Sequence, residues 1–495
     1  MISVTSLSET KRRLLHSYLH GGAARNVARD HLISPTGSRK DVPLSLSQEQ
    51  LFLRETSRAD IPPLYNECIK LRMLGPLDVP ALERSLAEII SRHEIWRTSY
   101  AVSNGQPVQV VHPAPEETGM SVTDLQCFSR SAQEEQTHDV IHELVAQPFN
   151  LFAGPLLRTH LIKLDEFEHW LYLITHLSIV DGLSVYRVFP YELATLYSAF
   201  AAGQPSPLPE LPIQFGDYAR WQRHWWQGEE RTRQMEYWRH QLAGQLPTLE
   251  WPHDHPVLLS QSFRGTIHPF VLPRAFGTSL KGSSHQEGVT VFTELASGFA
   301  VLMHCYTEQH DIIIGTPSQA GRKLSQVAGL LGHFLNPVAL RFDLAGDPTF
   351  RQVLQQAQRL LLEAISNDDV PFETLSQEFT LDSSKPLFRV AISLQPSMPQ
   401  LGLDWIVTSM DADSGGAPWN LYLAFIEGPD GMLCRVQYNP EVFDRGGIVE
   451  MFRDFYSLVD NLATNPMMRL SEAKALLTKR CYIVPAPPDT ESATL

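Results

Sequence analysis

Cysteine is scarce in this sequence, with five among 495 residues and no two arranged as a C-x-x-C pair. They are Cys68, Cys127, Cys305, Cys434 and Cys481. Scattered cysteines argue against a disulfide framework and against a cysteine-ligated zinc site, and they suit a reducing cytoplasm. We therefore expect a cytoplasmic protein that depends on neither disulfides nor a bound metal.

Long apolar runs and an excess of positive charge are also missing. No run of about 18 apolar residues occurs, so nothing is predicted to span a membrane. The basic residues 11–13 are not followed by an apolar stretch, which argues against a secretory signal. The net charge of −15 would repel nucleic acid and anionic lipid. We expect neither nucleic acid nor a membrane as a partner.

Sequence motifs for common cofactors are absent as well. The chain contains no G-x-x-x-x-G-K and no H-E-x-x-H, and its few glycine pairs do not follow a predicted strand as a dinucleotide fold requires. We therefore predict no metal, nucleotide or flavin cofactor.

The length and patterning predict a two-lobed α/β protein. Single cores rarely grow beyond about 250–300 residues, so a chain of 495 residues should form more than one. The proline-rich stretch 203–212 cannot hold a regular helix and marks a boundary. We predict an N-terminal helix and linker at 1–40, lobes at 41–215 and 216–480, and a disordered tail at 481–495.

Helix and strand signals alternate along the chain. Asp78 is placed to cap a helix that has Pro80 in its first turn. Residues 169–180 are apolar, aromatic and β-branched, which predicts a buried strand. A helical pattern then runs over 183–200, and Pro190 should kink it. The pattern is that of a mixed α/β protein.

Some ten short motifs follow one another between about residues 40 and 465. They are Pro43-Leu-Ser45-x-x-Gln48-x-x-Leu51, Arg92-His93-Glu94-x-x-Arg97-Thr98, Pro148-Phe-Asn-Leu151 with Gly154-Pro-Leu-Leu-Arg158, Asp217-Tyr218-x-x-Trp221-Gln222, Tyr237-Trp238-x-x-Gln241-Leu242, Gly315-Thr-Pro317 with Gly321-Arg322, Gly332-x-Phe334-x-Asn336, Asp369-Val-Pro-Phe-Glu373, Pro386-Leu-Phe388, and Tyr438-Asn439 with Phe443-Asp444. In this order they make the chain resemble the condensation domains of nonribosomal peptide synthetases.

The resemblance implies a fold, a reaction and partners. The fold would consist of two chloramphenicol-acetyltransferase-like lobes in a V shape with a central tunnel. The reaction would be acyl transfer, in which an amine attacks a thioester to give an amide. The partners would be phosphopantetheinylated peptidyl or acyl carrier proteins, as donor and as acceptor, so the substrates would arrive on phosphopantetheine and the domain would need no cofactor of its own. No adenylation domain or carrier-protein serine motif is recognisable, so the chain would be free-standing or cut from a larger synthetase.

The signature motif of the family departs from its usual form in this chain. The family has His-His-x-x-x-Asp-Gly, whereas this sequence reads from His176 and Leu177 to Asp181 and Gly182. In the family, the second histidine orients the attacking amine or takes its proton, and leucine can do neither. The resemblance implies that Asp181 pairs with an arginine, for which Arg322 is the candidate.

Four further residues complete the predicted site. His176 should face away from Leu177 on a strand, so it is either a base re-aimed by a bulge or a hydrogen-bonded core histidine. Ser184 is either part of the active site or a helix cap. His333 stands where the family usually has phenylalanine, and it is either a substitute base or a structural histidine. Asn336 is assigned a structural role at the site.

Three functions stay open at this point. The first is condensation, transferring a carrier-bound acyl or peptidyl thioester to an amine by an altered mechanism. The second is a catalytically inactive module, similar to the recruitment domains of glycopeptide synthetases, that binds a tailoring enzyme or a carrier protein. The third is a cyclisation or hydrolysis variant, since heterocyclisation domains carry Asp-x-x-x-x-Asp-x-x-Ser where this chain has His176, Asp181 and Ser184 at the same spacing.

Overall fold

The computed structural model describes residues 33–478, except 57–61, 116, 251–261, 380–385, 396–400, 402, 410–412 and 429–430. The predicted N-terminal helix falls in residues that lie outside this description, and so does the predicted tail at 481–495.

Helices and strands alternate through the described chain. The helices are α1 (Leu46–Thr56), α2 (Val79–Arg92), α3 (Arg130–Ala146), α4 (Phe189–Ala201), α5 (Phe215–Trp225), α6 (Glu229–Gln241), α7 (Arg274–Glu287), α8 (Val291–Thr307), α9 (Phe350–Ile365), α10 (Phe372–Phe379), α11 (Arg445–Thr464) and α12 (Leu470–Thr478). The strands are β1 (Val42–Pro43), β2 (Asn66–Leu74), β3 (Thr98–Ser103), β4 (Gln106–Val111), β5 (Ser121–Asp124), β6 (Leu157–Lys163), β7 (Glu168–His176), β8 (Thr266–Pro273), β9 (Asp311–Ser318), β10 (Asn336–Asp343), β11 (Val390–Gln395), β12 (Trp405–Ser409), β13 (Leu421–Gly428) and β14 (Gly431–Tyr438).

The first of two compact units contains the described residues up to Gly228 together with Gly321–Leu335 and the described part of Pro396–Gly416. Its main sheet has the strand order β12-β2-β7-β6-β5, in which only the β5–β6 pair is parallel. A smaller antiparallel sheet has the order β1-β4-β3. Apolar side chains of the large sheet and of α2 and α4 form the core of this unit.

Helix α2 begins where the sequence predicted a cap. The carboxylate of Asp78 accepts a hydrogen bond from the backbone N–H of Ala81 at 3.0 Å, and a proline stands in the first turn. Its apolar stripe is buried, because Leu82, Leu86 and Ile89 face the core with no exposed surface. The predicted cap is confirmed.

The buried strand before the signature motif ends earlier than predicted. Strand β7 stops at His176, and Leu177–Ile179 form a 3₁₀ turn, so the prediction of a strand through residue 180 was wrong over its last four residues. The side chain of His176 accepts a hydrogen bond from the backbone N–H of Ser178 and stabilises this turn.

The helix that follows the motif also differs from its prediction. Residues 182–201 are helical throughout, and Ser184–Val188 within them form a π-helical stretch that continues directly as α4. Pro190 lies in the first turn of α4, directly after the π-helical stretch, and the kink expected at this proline stays a prediction.

The second unit contains the described residues of Glu229–Ala320, of Asn336–Gln395 and from Ala417 onward. Its sheet has the order β10-β9-β11-β13-β14-β8, with β11 parallel to both of its neighbours. Helix α8 is apolar, and most of its side chains are buried in the core of this unit. Among the described residues no single helix is long and apolar enough to cross a membrane; α7 and α8 pass such a test only as a pair, and they are bent by 99° at their junction.

This division differs from the predicted lobes at 41–215 and 216–480. The first unit runs on through α5 to Gly228, and it takes in two segments from the second half of the chain. Strand β12 belongs to the first unit because it pairs antiparallel with β2, in a register that joins Ile406 to Arg72. Such pairings between distant segments are not readable from local composition.

Candidate active site

A buried ion pair holds the end of the signature motif. The guanidinium of Arg322 donates from Nε to one carboxylate oxygen of Asp181 at 2.8 Å and from Nη2 to the other at 2.7 Å. Nη2 also donates to Ser184 Oγ, and Nη1 donates to the carbonyls of Val327 and Leu330 at 3.0 and 2.9 Å. All of the guanidinium's N–H groups are therefore paired, which a buried arginine requires.

Ser184 lies at the centre of this network. Its backbone N–H and its hydroxyl both donate to the same oxygen of Asp181, at 2.7 and 2.8 Å. Its Oγ in turn accepts hydrogen bonds from Arg322 and from the backbone N–H of Gly332 at 3.1 Å. The side chain is fully buried, so its hydroxyl fixes the segment around Gly332 and is not available as a nucleophile.

His176, the first residue of the motif, is also fully buried. Its Nε2 lies 2.7 Å from a carboxylate oxygen of Glu55 on α1, and its Nδ1 lies 2.7 Å from Ser178 Oγ. The rings of Tyr65 and Phe149 lie nearly perpendicular to the imidazole, with centroids 6.0 and 6.2 Å away. Both ring nitrogens are engaged within the protein, as expected of a hydrogen-bonded core histidine.

Leu177 and Gly182 are the motif residues that keep some exposed surface, whereas His176 and Asp181 keep almost none. The backbone N–H of Leu177 donates to the carbonyl of Tyr65 at 2.7 Å. The side chain that this turn presents in place of the usual second histidine is therefore an isobutyl group, which neither accepts nor donates a proton.

His333 lies beside the same turn. Its Nδ1 is 3.1 Å from the carbonyl oxygen of Val180, to which it donates, and the ring is almost completely buried. Burial lowers the pKa of His333 to about 4, and its hydrogen bond to Val180 offsets only part of that effect. His333 is thus close to the motif, as a substitute base would have to be, yet its low proton affinity makes it a weak one.

Two residues of the longer sequence motifs, Gln48 and His93, support the site. Gln48 Nε2 donates to the carbonyl of Ser178 at 2.9 Å, which fixes the turn after Leu177. His93 accepts from the backbone N–H of Leu331 through Nδ1 and contacts Glu192 through Nε2 at 2.8 Å. Gln48 and His93 therefore hold the two backbone segments that the Asp181 network joins.

Asn336 belongs to the second unit, where it organises a loop. Its amide nitrogen donates to the carbonyls of Asp368 and Val370, at 2.7 and 2.6 Å, and its oxygen accepts from the backbone N–H of Phe372 at 3.0 Å. Every hydrogen-bonding group of this side chain except one lone pair is used, which indicates a structural role.

Comparison with known proteins identifies the class to which this fold and site belong. The family model described as Condensation domain matches residues 38–480. The chain therefore belongs to the condensation domain family of nonribosomal peptide synthetases. It is 36% identical over 471 residues to one of the proteins of the linear gramicidin synthase of Brevibacillus parabrevis, a match that covers 90% of this chain but 9% of that protein. The chain thus spans less than a tenth of this relative's length.

Solved structures give the same fold. The X-domain from teicoplanin biosynthesis is 26% identical, with a TM-score of 0.77 over 89% of this chain and 99% of that one. The same domain in complex with OxyB is 25% identical, with a TM-score of 0.75 over 91% and 99%. The first condensation domain of the calcium-dependent antibiotic synthetase, solved with a substrate analogue, is 18% identical, with a TM-score of 0.76 over 87% and 98%.

Proposed function

We propose that this condensation domain transfers a carrier-bound acyl or peptidyl group from its thioester to an amine, and that it does so by alignment and without a histidine base. The amine nitrogen attacks the thioester carbonyl, the C–N bond forms and the C–S bond breaks. The amine proton leaves to water or to the departing thiolate, so the products are an amide and a free phosphopantetheine thiol.

The observation that carries this proposal is the complete network around Asp181. Arg322 and Ser184 satisfy both carboxylate oxygens and are themselves satisfied. A half-broken buried ion pair would cost roughly 3–5 kcal/mol, so an intact one means that the turn carrying Leu177 is kept in a defined geometry. The similarity to the linear gramicidin synthase protein supports a peptide-forming role.

The loss of the base is tolerable because a thioester is already activated. A positioned general base contributes typically ~10²–10⁴-fold. Holding the reactants in line is worth roughly 7–11 kcal/mol in favourable intramolecular reactions, which exceeds that loss. Neither His176, with both nitrogens engaged, nor His333, with a pKa of about 4, offers an evident replacement.

The test is a transfer assay with loaded carrier proteins. A donor carrier bearing an aminoacyl thioester and an acceptor bearing a free amine are incubated with wild type and with Leu177→His, and the products are read by intact mass. We expect amide from wild type above the enzyme-free blank, and faster transfer by Leu177→His. Asp181→Asn, which keeps the shape but loses the charge opposite Arg322, should lower the rate of both. An amide lighter by one water than the simple condensation product would identify a cyclising variant instead, and free acid would identify a hydrolysing one.

A second candidate is a module that binds and does not condense. Leu177 favours it, and so does the similarity to the X-domain, one structure of which contains OxyB. If wild type gives no product while Leu177→His does, the natural domain is such a module. It should then bind a purified loaded carrier protein, or a purified oxygenase, in a pull-down. Leu177→His should bind the same partner equally well.

A further inference from the structure

The carboxylate of Glu55 contacts the imidazole of His176, although the two residues are 121 positions apart in the chain. Glu55 lies in the last turn of α1 and keeps 17% of its side-chain surface exposed, whereas His176 keeps none. The first histidine of the signature motif therefore contacts a carboxylate that belongs to none of the sequence motifs.

The hydrogen bonds of His176 determine where its proton is. An ionised carboxylate only accepts, so Nε2, at 2.7 Å from Glu55, must carry the hydrogen. A backbone N–H only donates, so Nδ1, at 3.2 Å from the amide of Ser178, must be the acceptor. The neutral tautomer with its hydrogen on Nε2 satisfies both contacts together, and in it the hydroxyl of Ser178 donates to Nδ1 as well.

This tautomer fixes the turn that bears Leu177. Nδ1 holds the amide of Ser178, and Gln48, from the same helix as Glu55, holds the carbonyl of Ser178 at 2.9 Å. Both backbone groups of Ser178 are thus held by α1, one of them directly and one through His176. Rotating the imidazole or moving its proton to Nδ1 would release the amide.

We propose that Glu55 is a positioning residue: by accepting from Nε2 it fixes the tautomer of His176 and so the 3₁₀ turn that sets residue 177 at the reaction centre. This assignment deepens the proposed function, since it concerns the same turn, but it does not require that the wild-type protein be active. His176 acts through the backbone of the turn and takes no proton from the substrate.

Glu49 offers a matched control on the same helix. Its carboxylate makes a contact of the same length, an ion pair with Arg223 at 2.7 Å, and it keeps a comparable 25% of its side-chain surface exposed. Replacing it removes a carboxylate from α1 without touching His176. Glu55→Gln keeps an accepting oxygen in place, whereas Glu55→Ala does not.

The experiment is two-bond ¹H–¹⁵N NMR on protein labelled at histidine, in which the His176 signal is identified by its loss in His176→Gln. We expect wild type, Glu55→Gln and Glu49→Ala to show a proton on Nε2 and none on Nδ1. Glu55→Ala should show mixed tautomers, and exchange of the Ser178 amide hydrogen should be roughly tenfold faster. Circular dichroism confirms folding, and Glu55→Leu replaces the alanine variant if that variant does not fold.

Several outcomes would overturn the proposal. One is a proton on Nδ1 in wild type. Others are an unchanged tautomer without the Glu55 carboxylate, a scrambled tautomer in Glu55→Gln, or an equal effect from Glu49→Ala. None of these readouts needs transfer activity, so a silent transfer assay would contradict the proposed function and leave the positioning role of Glu55 to be decided by NMR.

Discussion

Replacing Arg322 by methionine should be among the most destabilising single changes in the first unit. Methionine has a similar length but no charge, so the Asp181 carboxylate, 1% exposed, would keep only its hydrogen bonds from Ser184. The carbonyl of Leu330 would lose the donor that Arg322 supplies, and the carbonyl of Val327 would keep only the backbone N–H of Leu330. Removing one partner of a buried, hydrogen-bonded ion pair costs roughly 3–5 kcal/mol of the free energy of unfolding.

A matched ion pair in the same unit shows the importance of burial. Arg39 contacts Glu94 at 2.7 Å through both Nε and Nη2, but 60% of its side chain is exposed. Arg39→Met should therefore cost about 1 kcal/mol or less. The double variant Asp181→Leu with Arg322→Met should recover part of the loss caused by Arg322→Met, because no unpaired charge then remains buried.

Urea denaturation, followed by circular dichroism and by tryptophan fluorescence, measures these differences as shifts of the unfolding midpoint. Equal losses of stability in Arg322→Met and Arg39→Met would refute the role of burial. A double variant less stable than Arg322→Met alone would refute it as well, because the loss would then come from lost volume and not from the unpaired buried carboxylate.

Two further predictions concern the segment that carries Arg322. Gly332→Ala should cost roughly 1–3 kcal/mol of the free energy of unfolding, since a Cβ there would overlap the buried ring of Phe215; a midpoint equal to wild type would contradict this. His333→Phe should flatten the pH dependence of stability. The pKa of His333 is lowered to about 4 in the folded protein. The contribution of the neutral imidazole to the free energy of unfolding is therefore complete above pH 6.5. It is lost as the pH falls toward 4, by at most roughly 1.4 kcal/mol per pH unit. Equal slopes for wild type and His333→Phe over this range, measured by urea denaturation, would show that His333 is not the group responsible.

Local signals in the sequence were sufficient to predict those elements whose hydrogen-bonding partners lie close together in the chain. Asp78 caps its helix because the N–H that it accepts from is three residues away. The resemblance to the family was sufficient to predict the ion pair of Asp181 with Arg322, although 141 positions separate the two residues. The end of β7 was missed because it depends on the side chain of His176 turning back onto Ser178, and strand propensity does not encode that contact.

The residues that sequence reasoning missed are those that act through a distant backbone. Nothing about Glu55 in α1 indicates that it meets His176, and nothing in the Arg-His-Glu motif indicates that His93 holds the amide of Leu331, 238 positions away. The position of His333 was noticed from its difference from the family, but only the structure shows that burial lowers its pKa. Long-range contacts of this kind arise from tertiary packing and leave no local pattern.

The most direct test of the account is the rate of amide formation by wild type and by Leu177→His across a range of pH, with acceptor amines of different basicity. Transfer by alignment predicts product from wild type above the blank. It also predicts a rate that follows the fraction of unprotonated acceptor, and a gain of roughly 10²–10⁴-fold in Leu177→His. Wild-type product at the level of the blank would contradict the account and assign the natural domain to binding. A wild-type rate that follows the titration of a group on the enzyme, and not that of the acceptor amine, would show that a base other than residue 177 takes the proton.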